Sequence, residues 1–430
     1  MTNRIDIHRD CRLRATTGAA CALAMLSGLW GCDETMMVGE TIDDGSGGEP
    51  STMVLPEGTG GAGGIGGVAL TSPLPTGGTT TSAGTGGATT ALGVTHGAGG
   101  QIQTTTPIPA GCAPISLSPG TMNPCGRTFD VAFSPDGKLL ATGLESAAPN
   151  VRLWRLSDGM PLPDPLGQGS ETTYDVAFSP DGTMLAAAGY RRVPSTSGSS
   201  SDSHALVRVW DVATGALLRE LEPNCGWYAD NVEFSNDGLL VLTGGYLGAV
   251  ELWRIADGTR LLAIDVATSA HNAHFSPDNT RIIVATFDGE ANVYDIGSGT
   301  RVLGPLAIAV EMADAQFSPD QKQIATTWQS SLGADGENQV RIYDGASGQL
   351  VQSLPGHSQY ISHVVWIDQD RIVSDDWGGN VMLWQRDASG AFTLGKSWSA
   401  GGQSLGLAVS PDKTLIVTAA GGAGFIFLPL

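Results

Sequence analysis

The sequence predicts an all-β fold of seven four-stranded antiparallel sheets set radially about an axis, a seven-bladed β-propeller. Three observations predict it. A phrase made of an apolar anchor, a short polar run and a turn recurs seven times, at spacings of about 41–56 residues. A second phrase, alternating apolar and polar residues into another turn, follows every copy except the last. The chain then ends one strand short of a complete final repeat.

The first phrase reads FSPDG from Phe133 and from Phe178, FSNDG from Phe234, FSPDN from Phe275 and FSPDQ from Phe317. WIDQD from Trp366 and VSPDK from Val409 fill the same slot. Val131 and Phe133 alternate on one face of a strand, and Pro135-Asp136-Gly137 supplies a tight turn in which Pro fixes φ and Gly permits the exit. Leu139 to Thr142 reads as a second strand. The second phrase gives the third, from VRLWRLSDG at Val151 and VRVWDVATG at Val207 to VMLWQRDASG at Val381. A short apolar piece such as Ala216 to Leu221 supplies the fourth. One such meander cannot bury both faces alone, whereas radial stacking buries them and leaves only short edges. Each buried anchor Phe, and each Trp or Tyr of strand three, should contribute about 1.5–3 kcal/mol. The seventh repeat lacks a fourth strand, so that strand is expected from ahead of the first repeat, around Pro114 to Ser118, tying the two ends together.

This set of phrases resembles the WD-repeat propeller family over residues 108–430. The resemblance implies a structural role for His357 within Gly356-His357. It also places an aspartate before the third strand, clear at Asp288, with Leu247 and Gly378 in that slot elsewhere. The family's His–Ser–Asp–Trp network is therefore expected to be incomplete in most blades.

Ahead of the repeats lie two other segments. Residues 1–31 carry Arg4, Arg9, Arg12 and Arg14, then an apolar run from Ala15 to Leu29 of signal-peptide length. The run ends in Leu29-Trp30-Gly31-Cys32, which resembles the bacterial lipobox. That resemblance implies acylation and a new amino terminus at Cys32, hence a lipid anchor, with an extracytoplasmic cell-envelope location in the periplasm or at the outer membrane. An uncleaved segment or an ordinary signal cleavage is the alternative. Residues 32–107 are rich in Gly, Thr and Ser, and every charge in them is acidic. Such a composition cannot offset its ordering entropy and predicts a flexible tether with an r.m.s. span of roughly 45–50 Å.

With 22 Lys+Arg against 43 Asp+Glu the formal charge is −21, which disfavours nucleic acid and anionic lipid headgroups as partners. Membrane contact is expected through the lipid anchor alone, and the protein is expected to be a monomer. No GxSxG elbow or metal-spaced Cys/His/acid cluster is present, so no catalytic residue, metal or cofactor is assigned. His274 falls in the slot of Ala132, Ala177, Glu233 and Gln316 and reads as an ordinary strand residue.

Binding is the stronger expectation. The approach to strand one should line the top face, which places Arg127, Phe129, Tyr174, Trp227, Tyr228, Asp230, His271 and Tyr360 there as a rim suited to a protein or a polysaccharide partner. Three residues before each anchor stand Asp130, Asp175, Asn231, Asn272, Asp314 and His363, a polar ring at the channel mouth. Local hydrogen bonding in the turns of strand one explains that ring equally well. Two functions follow: an envelope-anchored, non-catalytic scaffold, or a lactonase-like hydrolase using the Asp/Asn/His ring with a divalent cation such as Ca²⁺. Cys112, Cys125 and Cys225 allow at most one disulfide within the domain, and the sequence leaves the pair open.

Overall fold

The computed structural model describes residues 115–430 apart from 124–126, 146–149, 164–165, 168–170, 194–201, 224–225, 247, 267, 307–311, 329–337 and 421–423. The segments read from the sequence as a signal and a tether, and Cys32, Cys112, Cys125 and Cys225, lie outside the described residues.

Seven antiparallel sheets follow one another along the chain, and the described residues contain no helix. Blade one holds Thr128–Phe133, Leu139–Leu144 and Val151–Arg155, with its fourth position marked by bridges from Trp154 to Pro161 and from Val151 to Leu166. Blades two to six begin at Glu171–Phe178, Ala229–Phe234, Ala270–Phe275, Ala315–Phe317 and Ile361–Trp366, each running outward through four strands. Blade seven takes Ser404–Val409, Leu415–Ala420 and Gly424–Pro429, and its outermost strand is Met122–Asn123.

Closure by an N-terminal strand is thus present, but a few residues later than expected. Met122 pairs with Ile426 and Asn123 with Phe425, and the Gly120 N–H donates to the Phe427 carbonyl at 2.8 Å. Ile115 does not pair with blade seven. Its N–H donates to Gly159 of blade one, and its side chain joins Trp154, Phe425 and Phe427. The fully buried Asn123 side chain fixes this path, accepting from the Ser116 N–H at 2.6 Å and donating to the Ser116 carbonyl at 3.0 Å.

The core lies between blades. Seven apolar clusters fill the seven gaps, such as Leu242, Leu252 and Ile264 of blade three against Ala273, Phe275 and Ile282 of blade four. The turn after each anchor is closed by its own side chains. In blade one the Ser134 hydroxyl donates to Asp136 at 2.7 Å while accepting from the Leu139 N–H at 2.9 Å. Gly137 takes φ 67° there, and Asn279, Gln321 and Lys413 take the same left-handed conformation in their blades.

A complete His–Ser–Asp–Trp network joins the end of the outer strand of blade five to blade six. His357 Nδ1 lies 2.9 Å from Asp376 and Nε2 2.7 Å from the Ser374 hydroxyl, which accepts from Trp384 Nε1 at 2.9 Å. The aspartate is Asp376, two residues before the Gly378 slot read from the sequence, because Asp376 ends strand two and still reaches the Gly378 and Asn380 N–H groups across the turn. Blade one keeps a fragment of the network, with Trp154 Nε1 donating to Thr142 at 3.3 Å.

Candidate functional site: the top face and channel mouth

In an antiparallel meander the connections from strand four to the next strand one, and from strand two to strand three, emerge at the same end. That end is the top face. Strand one reaches it irregularly. In blades one, two, three, four, six and seven the register with strand two shifts at the top of strand one, inserting one extra residue between successive partners. The extra residues are Phe129, Tyr174, Asp230, His271, Ser362 and Leu405. A bulge re-aims the side chain it carries, so the position four residues before each anchor is a structural slot of the repeat.

Phe129 meets Tyr174 edge-on at 4.9 Å between ring centroids, and Tyr174 meets Tyr228 at 5.3 Å. Tyr228 stacks on Tyr246 at 5.1 Å, and Trp227 lies over Tyr246 at 5.6 Å. The result is a continuous arc of rings across blades one to three. Arg127 caps its near end, 5.0 Å above Phe129 and paired with Glu145 at 3.4 Å. Elsewhere on the face His271 pairs with Phe287 at 5.3 Å and Tyr360 with Trp377 at 4.5 Å.

Exposure separates these residues into two kinds. Trp227 is 54% exposed, whereas Tyr228 and Phe129 are buried at 7% and 9%. Trp227 therefore offers a contact surface resting on Tyr246, and Tyr228 and Phe129 lie buried within the arc. This corrects the expectation that all three stand on an exposed rim. Sequence reasoning missed Tyr190, Tyr246, Phe287 and Trp377. Their signal was available: Tyr190, Tyr246 and Phe287 each stand twelve residues after the anchors Phe178, Phe234 and Phe275. Their hairpins return to the top of strand one, as where the Tyr246 N–H donates to the Tyr228 carbonyl and the Trp377 N–H to Tyr360. Five of the seven tyrosines, Tyr174, Tyr190, Tyr228, Tyr246 and Tyr360, sit on this face, and Tyr294 and Tyr343 belong to third strands.

Beneath the aromatic layer the polar ring joins blade to blade. Asp130 accepts from the Val176 N–H at 3.1 Å, Asp175 from Val232 at 2.7 Å, and Asn231 from Ala273 at 3.2 Å. Asn272 donates to the Ala313 carbonyl at 3.0 Å, and Asp314 accepts from Val364 at 3.0 Å. His363 turns to Asp375 at 3.1 Å, and Asp375 also accepts from the Ser404 hydroxyl of blade seven. The local hydrogen-bonding explanation of the ring thus has the right currency and the wrong span, since most of these bonds cross between blades. Gly406 holds the seventh position.

The ring is strongly coupled electrostatically. Burial, together with the nearby Asp175 carboxylate, holds Asp130 well above the usual carboxylate range. Burial pushes Asp230 up to about 7, with His271 opposing and Asp175 adding to the rise. Burial would depress His363, but Asp375, then Asp314 and Asp175, outweigh it and raise the imidazole above an ordinary histidine. Among the described residues no three His, Cys, Asp or Glu side chains converge as ligands for a metal ion. Most ring oxygens near the axis instead serve backbone N–H groups.

Residues 124–155 and 348–385 match the model of the WD domain, G-beta repeat family. No curated protein matches the chain. Among solved structures, a chain of the mitotic checkpoint complex crystal structure is 17% identical with a TM-score of 0.58, the alignment covering 73% of this chain and 93% of that one. At that identity the likeness carries the fold alone. The repeat matches and the seven sheets together identify the folded part of this chain as a seven-bladed β-propeller built with WD-type repeats.

Proposed function

We propose that this protein is a non-catalytic binding scaffold, lipid-anchored through Cys32 to the outside of a bacterial cell membrane, which captures a protein partner on the top face of its propeller. The single observation that carries the binding reading is the aromatic arc of blades one to three, with Trp227 left 54% exposed at its end. A large exposed aromatic backed by buried rings is rigid, loses little entropy on contact and is the residue type that dominates interface energies. The WD-type repeats of this chain, and the fold it shares with a chain of the mitotic checkpoint complex, support a scaffold role by analogy of fold. The lipobox-like Leu29-Trp30-Gly31-Cys32 and the Gly/Thr/Ser-rich segment after it support anchoring and display at a distance.

Two measurements test this. The whole protein is used as bait in a cell-envelope extract beside a Trp227→Ala/Tyr360→Ala variant whose melting temperature has been checked. A partner retained by the first and lost by the second is expected; equal recovery by both overturns the top-face assignment. Metabolic labelling with a fatty acid should mark the wild type and leave Cys32→Ser unlabelled, and an unlabelled wild type overturns the anchor.

A further inference from the structure

His274 lies in strand one of blade four, with its side chain only 18% exposed. Its Nδ1 lies 3.3 Å from a carboxylate oxygen of Glu233 in blade three, and its Nε2 lies 2.9 Å from a carboxylate oxygen of Asp314 in blade five. A neutral imidazole donates from one nitrogen and presents a lone pair at the other. Here that lone pair would face a carboxylate, whichever tautomer formed. With Glu233 and Asp314 both ionised, only the imidazolium, with two N–H donors, satisfies both contacts. His357 makes the contrast, because Asp376 takes one N–H and the Ser374 hydroxyl can donate to the other nitrogen, so a single ring proton suffices.

We propose that His274 is a proton-held clasp: protonated on both nitrogens it draws Glu233 and Asp314 onto blade four, and loss of one proton releases that arc of the ring. The two carboxylates also hold the neighbouring backbones. Glu233 accepts from the Phe275 N–H at 2.9 Å, and Asp314 accepts from the Ala315 N–H at 2.8 Å and from Val364 of blade six at 3.0 Å. One side chain thereby governs contacts among four consecutive blades at the mouth of the channel.

The groups facing the imidazole are Glu233 from blade three and, from blade five, Asp314 and the neutral amide of Gln316, whose Nε2 is 3.5 Å from His274 Nε2. Beyond Asp314 stand His363 and its partner Asp375 in blade six. Burial by itself would lower the proton affinity of His274, but Asp314 and Glu233 outweigh it and hold the imidazole well above the ordinary value. The sign follows. The clasp contributes fully below the unfolded value of about 6.5 and is lost as pH rises through the higher folded value. It is closed at and below the ordinary histidine value and opens as pH climbs through the raised one.

The test is an NMR titration of the histidine rings of the whole protein, assigned with the aid of His274→Gln. The His274 ring should still carry two protons as pH passes the ordinary histidine value of about 6.5, and Asp314→Asn should move the titration down. Amide exchange at Phe275 and Val364 should accelerate up to about tenfold in His274→Gln at neutral pH, as expected for weakening one hydrogen bond each. The stability gap between wild type and His274→Gln should narrow between pH 6 and 10. A wild-type titration at or below 6.5, or a gap that does not change with pH, overturns the clasp. The titration needs only the wild type, so the proposal stays exposed if a variant fails to fold.

Discussion

Asp175 in blade two accepts the backbone N–H of Val232 in blade three at 2.7 Å, across fifty-seven positions of sequence. The same carboxylate oxygen accepts from the Asn231 amide at 3.3 Å, so one side chain ties the tops of two innermost strands. Asp175→Ala would leave a buried main-chain donor without its partner, at a cost of about 1–3 kcal/mol. Asp175→Asn keeps an acceptor and relieves the repulsion between Asp175 and Asp130, and should cost less than about 1 kcal/mol. Urea unfolding of the three proteins checks this. Equal losses from the two variants would mean that the charge, and not the hydrogen bond to Val232, is what matters.

Stability should rise as pH falls from alkaline to mildly acidic. Asp130 and Asp230 have raised folded values, Asp230 to about 7, so ionising them as pH climbs past the ordinary carboxylate range costs stability. His274 and His363 act in the same direction, because each loses favourable interactions when deprotonated. The formal charge of −21 adds self-repulsion that protonation relieves. Opposing this are the turn aspartates such as Asp136, drawn down to about 2 by Lys138 and the Ser134 hydroxyl, with Asp181 and Asp412 lowered likewise. Their contribution is present at neutral pH and is lost only as pH falls through those low values. The melting temperature should therefore peak just above the ordinary carboxylate range, at about pH 4–5, and decline on both sides. A maximum above pH 8 would contradict the assignment of the channel groups.

The repeats made the blade count, the strand order and the closure legible, because anchor and turn fall in the same register each time. What the sequence concealed depends on departures from period two. The bulge at Phe129, Tyr174, Asp230 and His271 breaks simple alternation, so counting faces along strand one does not say that Tyr174 joins the aromatic layer while Asp175 turns to the next blade. Inter-blade partners were hidden for another reason. Glu233 and His274 share one slot of the repeat and Asp314 stands in another, and the three meet only after three sheets are stacked. The closing strand was misplaced by a few residues because Met122–Asn123 is only two residues long, and Ile115 offered the more apolar candidate.

Gly406 shows where reading a repeat by its consensus misleads. The ring position holds Asp, Asn or His in the other six blades, so Gly406→Asn would restore the pattern. The backbone forbids it. A Cβ at Gly406 would stand 2.6 Å from the Asp130 Cα and 2.8 Å from the Phe129 carbonyl oxygen, where blade seven meets blade one. Neither atom can yield without moving the first strand, so both Gly406→Ala and Gly406→Asn should destabilise by about 1–3 kcal/mol, the range typical of overpacking. Thermal melts decide the matter, and an unchanged or higher melting temperature for either variant would show that the seam between first and last blades is looser than its geometry.

Trp227 and Tyr228 are adjacent in sequence and should behave oppositely. Trp227 is half exposed and touches the arc through Tyr246, so Trp227→Ala should shift stability by less than about 0.5 kcal/mol. Tyr228 is buried between Tyr174 and Tyr246, and its carbonyl holds the Tyr246 N–H. Tyr228→Ala would open a cavity beneath the layer and should cost about 3–5 kcal/mol. Partner capture should fail in both variants, through loss of the contact itself in the first and through collapse of its support in the second. Tyr228→Phe separates these effects, since it keeps the ring stack and should bind as the wild type does. If Trp227→Ala binds normally while Tyr228→Ala does not, the contact surface lies deeper in the arc, around Tyr174 and Tyr190, and Trp227 only shields it.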